Sequence, residues 1–203
     1  MILPILALAV QTQPLPTVDA SMTVERAMRC ASAVRQGEVV GGRSTFAGSV
    51  QSVYFIMIAT REASGHEPFF ERMKALAPTI GNYPVEASVA ADVTASCLKE
   101  EPRAAGAVFG TLPTDAAERD MMCAGTIAIL NGLAIGYRNH SGDEAPAARW
   151  TAVLATFQQR LERSPATRDE GGDLSLKLGQ EAQLATRIGS PETVATMCEA
   201  ALH

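Results

Sequence analysis

The cysteines of this 203-residue chain fall into two pairs of nearly matching separation, one pair in each half. The pairs are Cys30 with Cys97 and Cys123 with Cys198. The sequence around them repeats weakly, since residues 25–31 resemble residues 118–124. A disulfide within each pair would close a loop of roughly 70 residues, which the chain-entropy model values at about 4 kcal/mol. We therefore predict a duplicated unit with one disulfide per copy, although four cysteines also permit other pairings.

Composition indicates which kind of unit is duplicated. The chain is 47% hydrophobic but only 5% aromatic, and alanine is abundant. Small side chains and few β-branched runs favour close-packed helices over sheets. We predict an all-α fold of two tandem, weakly similar helical units with about four helices each. Unit 1 covers residues 21–100 and unit 2 covers residues 115–203, with a connector at residues 101–114 that contains proline and glycine.

Apolar residues at helical spacing place the individual helices. The predicted helices of unit 1 are 22–36, 50–63, one that begins at Pro68, and 85–99. In unit 2, Thr114-Asp115 resembles a helix start, and helices are predicted at 121–135, 147–163, 174–188 and 190–202. The apolar stretch 121–135 is too short to span a membrane, which needs about 20 apolar residues. We predict a buried helix there, interrupted near Asn131, and no transmembrane segment.

Residues 1–20 are predicted to be a signal peptide and tail. An apolar run covers residues 2–10, and Ala7-Leu8-Ala9 provides a small-x-small cleavage site. No lysine or arginine precedes the run, so a disordered or core-packed tail is the alternative. Disulfides persist in oxidising compartments, so the cysteine pairs and export support each other. We expect a periplasmic or secreted protein.

Charge and cysteine spacing argue against several partners. The net charge is −5, and no cluster of lysine and arginine forms a basic stripe. We therefore expect neither nucleic acid nor an anionic membrane surface as a partner. The cysteines lack the Cys-x-x-Cys spacing that presents two thiolates to zinc or to an iron–sulfur cluster. We expect no metal and no cofactor.

The densest polar cluster contains His140, Asp143 and Glu144, in a predicted loop at residues 139–146. An imidazole and two carboxylates are able to bind a cation or to carry out acid–base chemistry. A solvated turn that caps the next helix is the more common arrangement. A hydrolase that used this loop would need a further carboxylate close by, such as Glu67.

Two further patterns have structural explanations. Trp150 and Phe157 share one face of the predicted helix 147–163. Such a stripe is more typical of a core, but these are the aromatic side chains that we would place against a ligand. Glycines also recur between the units, and we expect each set to form the same turn or close helix contact. They are Gly37, Gly41, Gly132 and Gly136.

No catalytic motif such as Gly-x-Ser-x-Gly or a phosphate-binding loop is present. We therefore expect an exported, disulfide-stabilised helical protein with a non-enzymatic binding or structural role. Its partner would be another protein or a small apolar ligand. One alternative is an envelope enzyme or metal-dependent hydrolase that uses the loop from His140 to Glu144. Another is a cytosolic helical interaction protein with reduced cysteines. A groove between the units lined by Phe, Met or Trp would favour the first interpretation.

Overall fold

The computed structural model describes residues 22–42, 44–63, 67–164 and 173–202. The predicted signal peptide and tail, residues 1–20, lies outside these ranges. Within them the chain forms helices, turns and loops without a β-strand, which confirms the all-α prediction. The described α-helices are α1 (Val24–Val40), α2 (Phe46–Glu62), α3 (Phe69–Leu76), α4 (Ala90–Glu100), α5 (Ala116–Ser141), α6 (Ala145–Arg163), α7 (Leu174–Ala185) and α8 (Pro191–Ala200).

Unit 1 is organised around α1, which packs against α2 and α4. The Thr23 hydroxyl caps α1 by accepting a hydrogen bond from the Arg26 N–H at 3.2 Å. A disulfide joins Cys30 of α1 to Cys97 of α4, with the two Cα atoms 5.8 Å apart. Both cysteines are fully buried among apolar side chains. The predicted disulfide of unit 1 is therefore confirmed.

Unit 2 is organised around α5, which packs against α6, α7 and α8. The Asp115 carboxylate caps the start of α5, and the Ser190 hydroxyl caps the start of α8. Both caps lie where the sequence predicts helix starts. A disulfide joins Cys123 of α5 to Cys198 of α8, with the two Cα atoms 5.6 Å apart. This confirms the second predicted pairing.

The structure corrects the prediction that the helix expected at residues 121–135, the first of unit 2, breaks near Asn131. Helix α5 is continuous from Ala116 to Ser141. The Thr151 hydroxyl of α6 donates a hydrogen bond to Asn131 Oδ1 at 2.7 Å, so the asparagine side chain supports the helix–helix contact. By length and composition α5 is apolar enough to cross a membrane, and half of its apolar window is buried within this protein. The expected short apolar helix is thus a long central one.

The start of the third helix of unit 1 lies where it is predicted, whereas the fourth helix starts later than predicted. The helix expected to begin at Pro68 does so, with Pro68 at the N-cap of α3. The helix expected at 85–99 is shorter, because a 3₁₀ turn at Ala87–Val89 precedes α4. Val89 has φ −115° and ψ 0°, outside the α-helical region, so regular α-helix begins only at Ala90.

The structure corrects the prediction that the recurring glycines form the same turn or close helix contact in each unit. Gly41 lies in the turn that ends α1, where a Cβ atom would be 3.3 Å from the Gly37 carbonyl oxygen. A Cβ atom placed on Gly37, Gly132 or Gly136 would have no neighbouring atom within 4 Å. The close contact lies instead at Gly125 of α5. A Cβ atom there would be 2.3 Å from the backbone carbonyl oxygen of Leu178. Gly125 therefore lets α7 approach the backbone of α5, and the repeat gave no indication of it.

The two units are joined by buried apolar contacts. Val50 of α2 belongs to the cluster that forms the core of unit 2. A smaller cluster brings Met57 and Phe69 of unit 1 against Ile129 and Ala182 of unit 2. In each unit the first helix packs against the second and is linked by a disulfide to the last. This parallel is compatible with duplication, which stays a prediction.

Candidate functional site

The residues of the predicted polar site lie at the exposed junction between α5 and α6. His140 is in the last turn of α5, whereas Asp143 and Glu144 lie in the short connection to α6. Asp143 Oδ1 accepts a hydrogen bond from the Ala145 N–H at 3.0 Å, so this carboxylate is bound to the backbone at the start of α6. Among the described residues, no group of three or more His, Cys, Asp and Glu side chains is placed to hold a metal ion. No described contact joins His140 to a further carboxylate.

Trp150 and Phe157 lie in the core of unit 2, and each is only 1% exposed. The Arg149 guanidinium lies over the Trp150 ring, 4.3 Å from its centroid. The Arg160 guanidinium is 5.8 Å from the centroid of Phe157. Neither aromatic side chain lines the two cavities described below. Their placement matches the core interpretation and does not support the suggested ligand-facing role.

An open apolar groove lies where α2 and α3 of unit 1 meet α5 of unit 2. Its volume is about 430 Å³, within the range of roughly 300–1,000 Å³ that small-molecule sites occupy. We call it the inter-unit groove. Its lining residues are Val53, Phe70, Met73, Ala128, Ile129, Gly132 and Leu133. This lining offers van der Waals contact to an apolar molecule but no side-chain hydrogen bond.

Local sequence explains the shape of the inter-unit groove. Phe70 and Met73 are three residues apart on α3 and so share a helix face. The backbone of α7 supports the Phe70 ring, because a Cβ atom on Gly179 would be 3.4 Å from Phe70 Cδ2. On the opposite wall, Gly132 leaves open space beside α5. A longer side chain at this position would lean toward the N-terminus of α5, over Ala128 and into the groove.

A second cavity, the lateral pocket, lies between α5, α6 and α7. Its volume is about 560 Å³, and it shares Ala128 with the inter-unit groove. Its lining residues are Ala124, Ala128, Leu154, Gln158, Leu161, Glu162, Leu174 and Leu178. Most of this lining is apolar, but the two polar side chains on α6 set it apart from the inter-unit groove.

A buried ion pair within the connector lies against unit 2. Glu101 and Arg103 are only 5% and 6% exposed. Arg103 Nε donates to Glu101 Oε1 at 2.5 Å, and Arg103 Nη2 donates to Oε2 at 2.9 Å. Arg103 Nη1 also donates to the Arg187 carbonyl oxygen of unit 2 at 3.1 Å. This bidentate pairing satisfies charges whose burial would otherwise be strongly unfavourable.

Tyr54 adds a second polar link between the units. Its hydroxyl is buried and donates a hydrogen bond to the Thr186 carbonyl oxygen at 2.9 Å. Burial, and secondarily the negative charge of Glu101, raise the pKa of Tyr54 above its ordinary value. The phenol therefore stays protonated and acts as a donor. These contacts link α2 and the connector to the segment that follows α7.

Sequence reasoning named a groove between the units, lined by Phe, Met or Trp, as the observation that would favour a binding role, but it did not locate the groove. It missed the polar link. Glu101 and Arg103 fall in the predicted connector, where charged residues suggest solvent exposure rather than a buried pair. The groove depends on α3 meeting α5, which residues distant in sequence bring about. The available signal was Phe70 and Met73 on one helix face, and it indicated only a packed stripe.

Comparisons of the chain with protein-family models, with curated proteins and with solved structures found no match. What the chain binds must therefore be inferred from its own geometry, chiefly from the inter-unit groove and the two disulfides.

Proposed function

We propose that this protein is an exported, non-enzymatic binding protein that holds a small apolar ligand in the inter-unit groove. The observation that carries the proposal is the groove itself, which is about 430 Å³ in volume and is lined by apolar side chains and one glycine. Removing apolar surface from water is favourable by roughly 25 cal/mol per Å². When an apolar ligand binds, its own surface and the lining of the groove both leave water, so both contribute this energy. A polar ligand would lose hydrogen bonds to water, and the groove would not replace them.

Export is supported by the two disulfides. All four cysteines are fully buried and oxidised, and no free cysteine is found in the described chain. Disulfides of this kind persist in the periplasm or outside the cell and are rare in the cytosol. The direct check is to denature protein taken from its native compartment and count the thiols that react with an alkylating reagent. We expect none, and four reactive thiols would support the cytosolic alternative instead.

Binding is tested with N-phenyl-1-naphthylamine, an uncharged apolar dye whose fluorescence rises when it leaves water. We expect the purified oxidised protein to bind the dye at one site. Gly132→Leu places a branched side chain in the groove and should weaken dye binding by at least about tenfold, the equivalent of about 1.4 kcal/mol. Gly132→Leu also replaces a glycine inside a helix with a better helix former, so this substitution should not lower the stability of the protein.

Gly132→Ala is the matched control because it removes the same glycine but leaves most of the groove open. We expect the alanine variant to bind the dye within about twofold of the parent protein, since the added methyl group occupies little of the groove. Equal dye affinity in the parent protein and Gly132→Leu would show that the dye binds elsewhere. That result, or the absence of any dye binding, would refute the proposed role of the groove.

A further inference from the structure

A lysine lies beside the wall that α3 contributes to the inter-unit groove. Lys74 is four residues after Phe70 and directly follows Met73, so it lies on the same side of α3 as Phe70. A side chain in a helix leans toward the helix N-terminus, which carries the Lys74 stem back over the turn that holds Phe70. The stem of a lysine covers apolar surface while its ammonium group stays in water. The positive charge of Lys74 therefore stands at the rim of the groove.

The ammonium group of Lys74 is accessible to a ligand. Lys74 is exposed, and none of the ion pairs in the described part of the chain includes it. The other charged residues of α3, Glu71 and Arg72, lie on another side of the helix, where they line a separate cavity with Glu67. Arg72 is held there by hydrogen bonds to two backbone carbonyl oxygens. Lys74 is thus the cation that α3 presents beside the groove.

The other two walls of the groove do not offset this charge. Residues 50–57 of α2 and 128–135 of α5 contain no charged side chain. On α7, Glu181 faces the first turn of α5, since burial and the nearby carboxylate of Glu118 raise the pKa of Glu181. Glu118 precedes the groove-lining part of α5 by ten residues, which is about 15 Å along a helix. An anionic group at the rim therefore meets the charge of Lys74.

We infer that the ligand is a single-chain amphiphile with a carboxylate head group, whose alkyl chain lies in the inter-unit groove and whose carboxylate pairs with Lys74 at the rim. The carboxylate stays in water there, so binding avoids the cost of burying a charge. An exposed ion pair contributes up to about fivefold in affinity, the equivalent of about 1 kcal/mol. This inference rests on the proposed function, because it requires the groove to bind an apolar chain, and it adds the chemical class of the ligand.

The test is displacement of N-phenyl-1-naphthylamine by ionised dodecanoate and by dodecan-1-ol, which have the same chain length. Lys74→Met removes the positive charge and keeps an unbranched apolar side chain over Phe70. It should weaken dodecanoate by about fivefold and leave the affinities of the dye and of dodecan-1-ol within about twofold of the parent protein. Lys74→Glu places a like charge at the rim and should weaken dodecanoate by more than about tenfold.

Lys99→Met is the matched control, because Lys99 is an exposed lysine on α4 that does not line the groove. It changes the net charge of the protein by the same amount, and we expect it to leave the binding of all three compounds unchanged. Three results would overturn the inference while dye binding upheld the proposed function. They are unchanged dodecanoate affinity in Lys74→Met, an equal loss in Lys99→Met, and an equal loss for dodecan-1-ol. A parent protein that did not bind the dye would refute the proposed function itself.

Discussion

Removing the disulfide of unit 1 should destabilise the whole protein, including unit 2. The loop closed between Cys30 and Cys97 has a sequence separation of 67 residues. Its closure entropy corresponds to about 4.4 kcal/mol at 25 °C. Net stability of a domain is typically about 5–15 kcal/mol, so the double variant Cys30→Ala/Cys97→Ala should lose a large fraction of it. The loop of unit 2, with a separation of 75 residues, gives a nearly equal value.

The assay is guanidinium chloride unfolding followed by two signals. Circular dichroism reports helices in both units, whereas fluorescence reports unit 2, because Trp150 is the only tryptophan in the chain. Val50 lies in the core of unit 2 and Met57 packs against Ile129, so we expect the units to unfold together. In the double variant both signals should shift to lower denaturant by the same amount.

Two results would contradict this reasoning. A loss of stability below about 1 kcal/mol would mean that the disulfide hardly restricts the unfolded chain. A Trp150 transition that stayed in place while the circular dichroism transition split in two would mean that the units unfold independently. The matched variant, Cys123→Ala/Cys198→Ala, should shift both signals to a similar extent.

Two further substitutions test the buried pair of Glu101 and Arg103 and the close approach of α7 to α5. Glu101→Gln leaves Arg103 buried without its counter-charge, and it should lower the free energy of unfolding in denaturant by about 3–5 kcal/mol. The control Glu100→Gln breaks the more exposed pair with Arg26 and should lower it by less than about 1 kcal/mol. Equal effects would mean that burial of the Glu101 pair is unimportant. Gly125→Ala would place a Cβ atom 2.3 Å from the Leu178 carbonyl oxygen, and forcing α7 away should cost about 1–3 kcal/mol. The control is Gly132→Ala, where the added methyl group meets open space, so stability should be unchanged or raised by up to about 1 kcal/mol. A Gly125→Ala variant as stable as Gly132→Ala would show that the close approach of α7 does not matter.

The disulfide framework could be predicted from sequence because its signals are local and repeated. In the sequence Cys97 follows Val85, Val89 and Val93 at four-residue spacing, which indicated a buried position for the cysteine. Cys97 is fully buried, although α4 begins only at Ala90 and Val89 is 40% exposed. Matching residues around Cys30 and Cys123 then suggested which cysteines pair. The helix starts at Asp115 and Ser190 could also be predicted from sequence, because helix capping depends on residues that are neighbours in the chain.

The candidate binding site could not be predicted in the same way. Gly132 looked like part of a turn or a close contact, yet it leaves open space in the wall of a groove. Which neighbour a helix surface faces depends on long-range packing, so Phe70 and Met73 gave no indication that they would stand opposite α5. The aromatic residues that were singled out, Trp150 and Phe157, fill the core because they lie on the inward face of α6.

Methyl NMR of the oxidised protein, labelled with ¹³C at the methionine methyl groups, tests groove binding most directly. The chain has eight methionines, and Met73 lines the inter-unit groove. Met28 is fully buried in the core of unit 1 and serves as an internal reference. On titration with dodecan-1-ol we expect the Met73 resonance to move and saturate, with contacts from the alkyl chain to its methyl group, while Met28 stays in place. A Met73 resonance unaffected by saturating alcohol would contradict the proposal that the groove is the binding site.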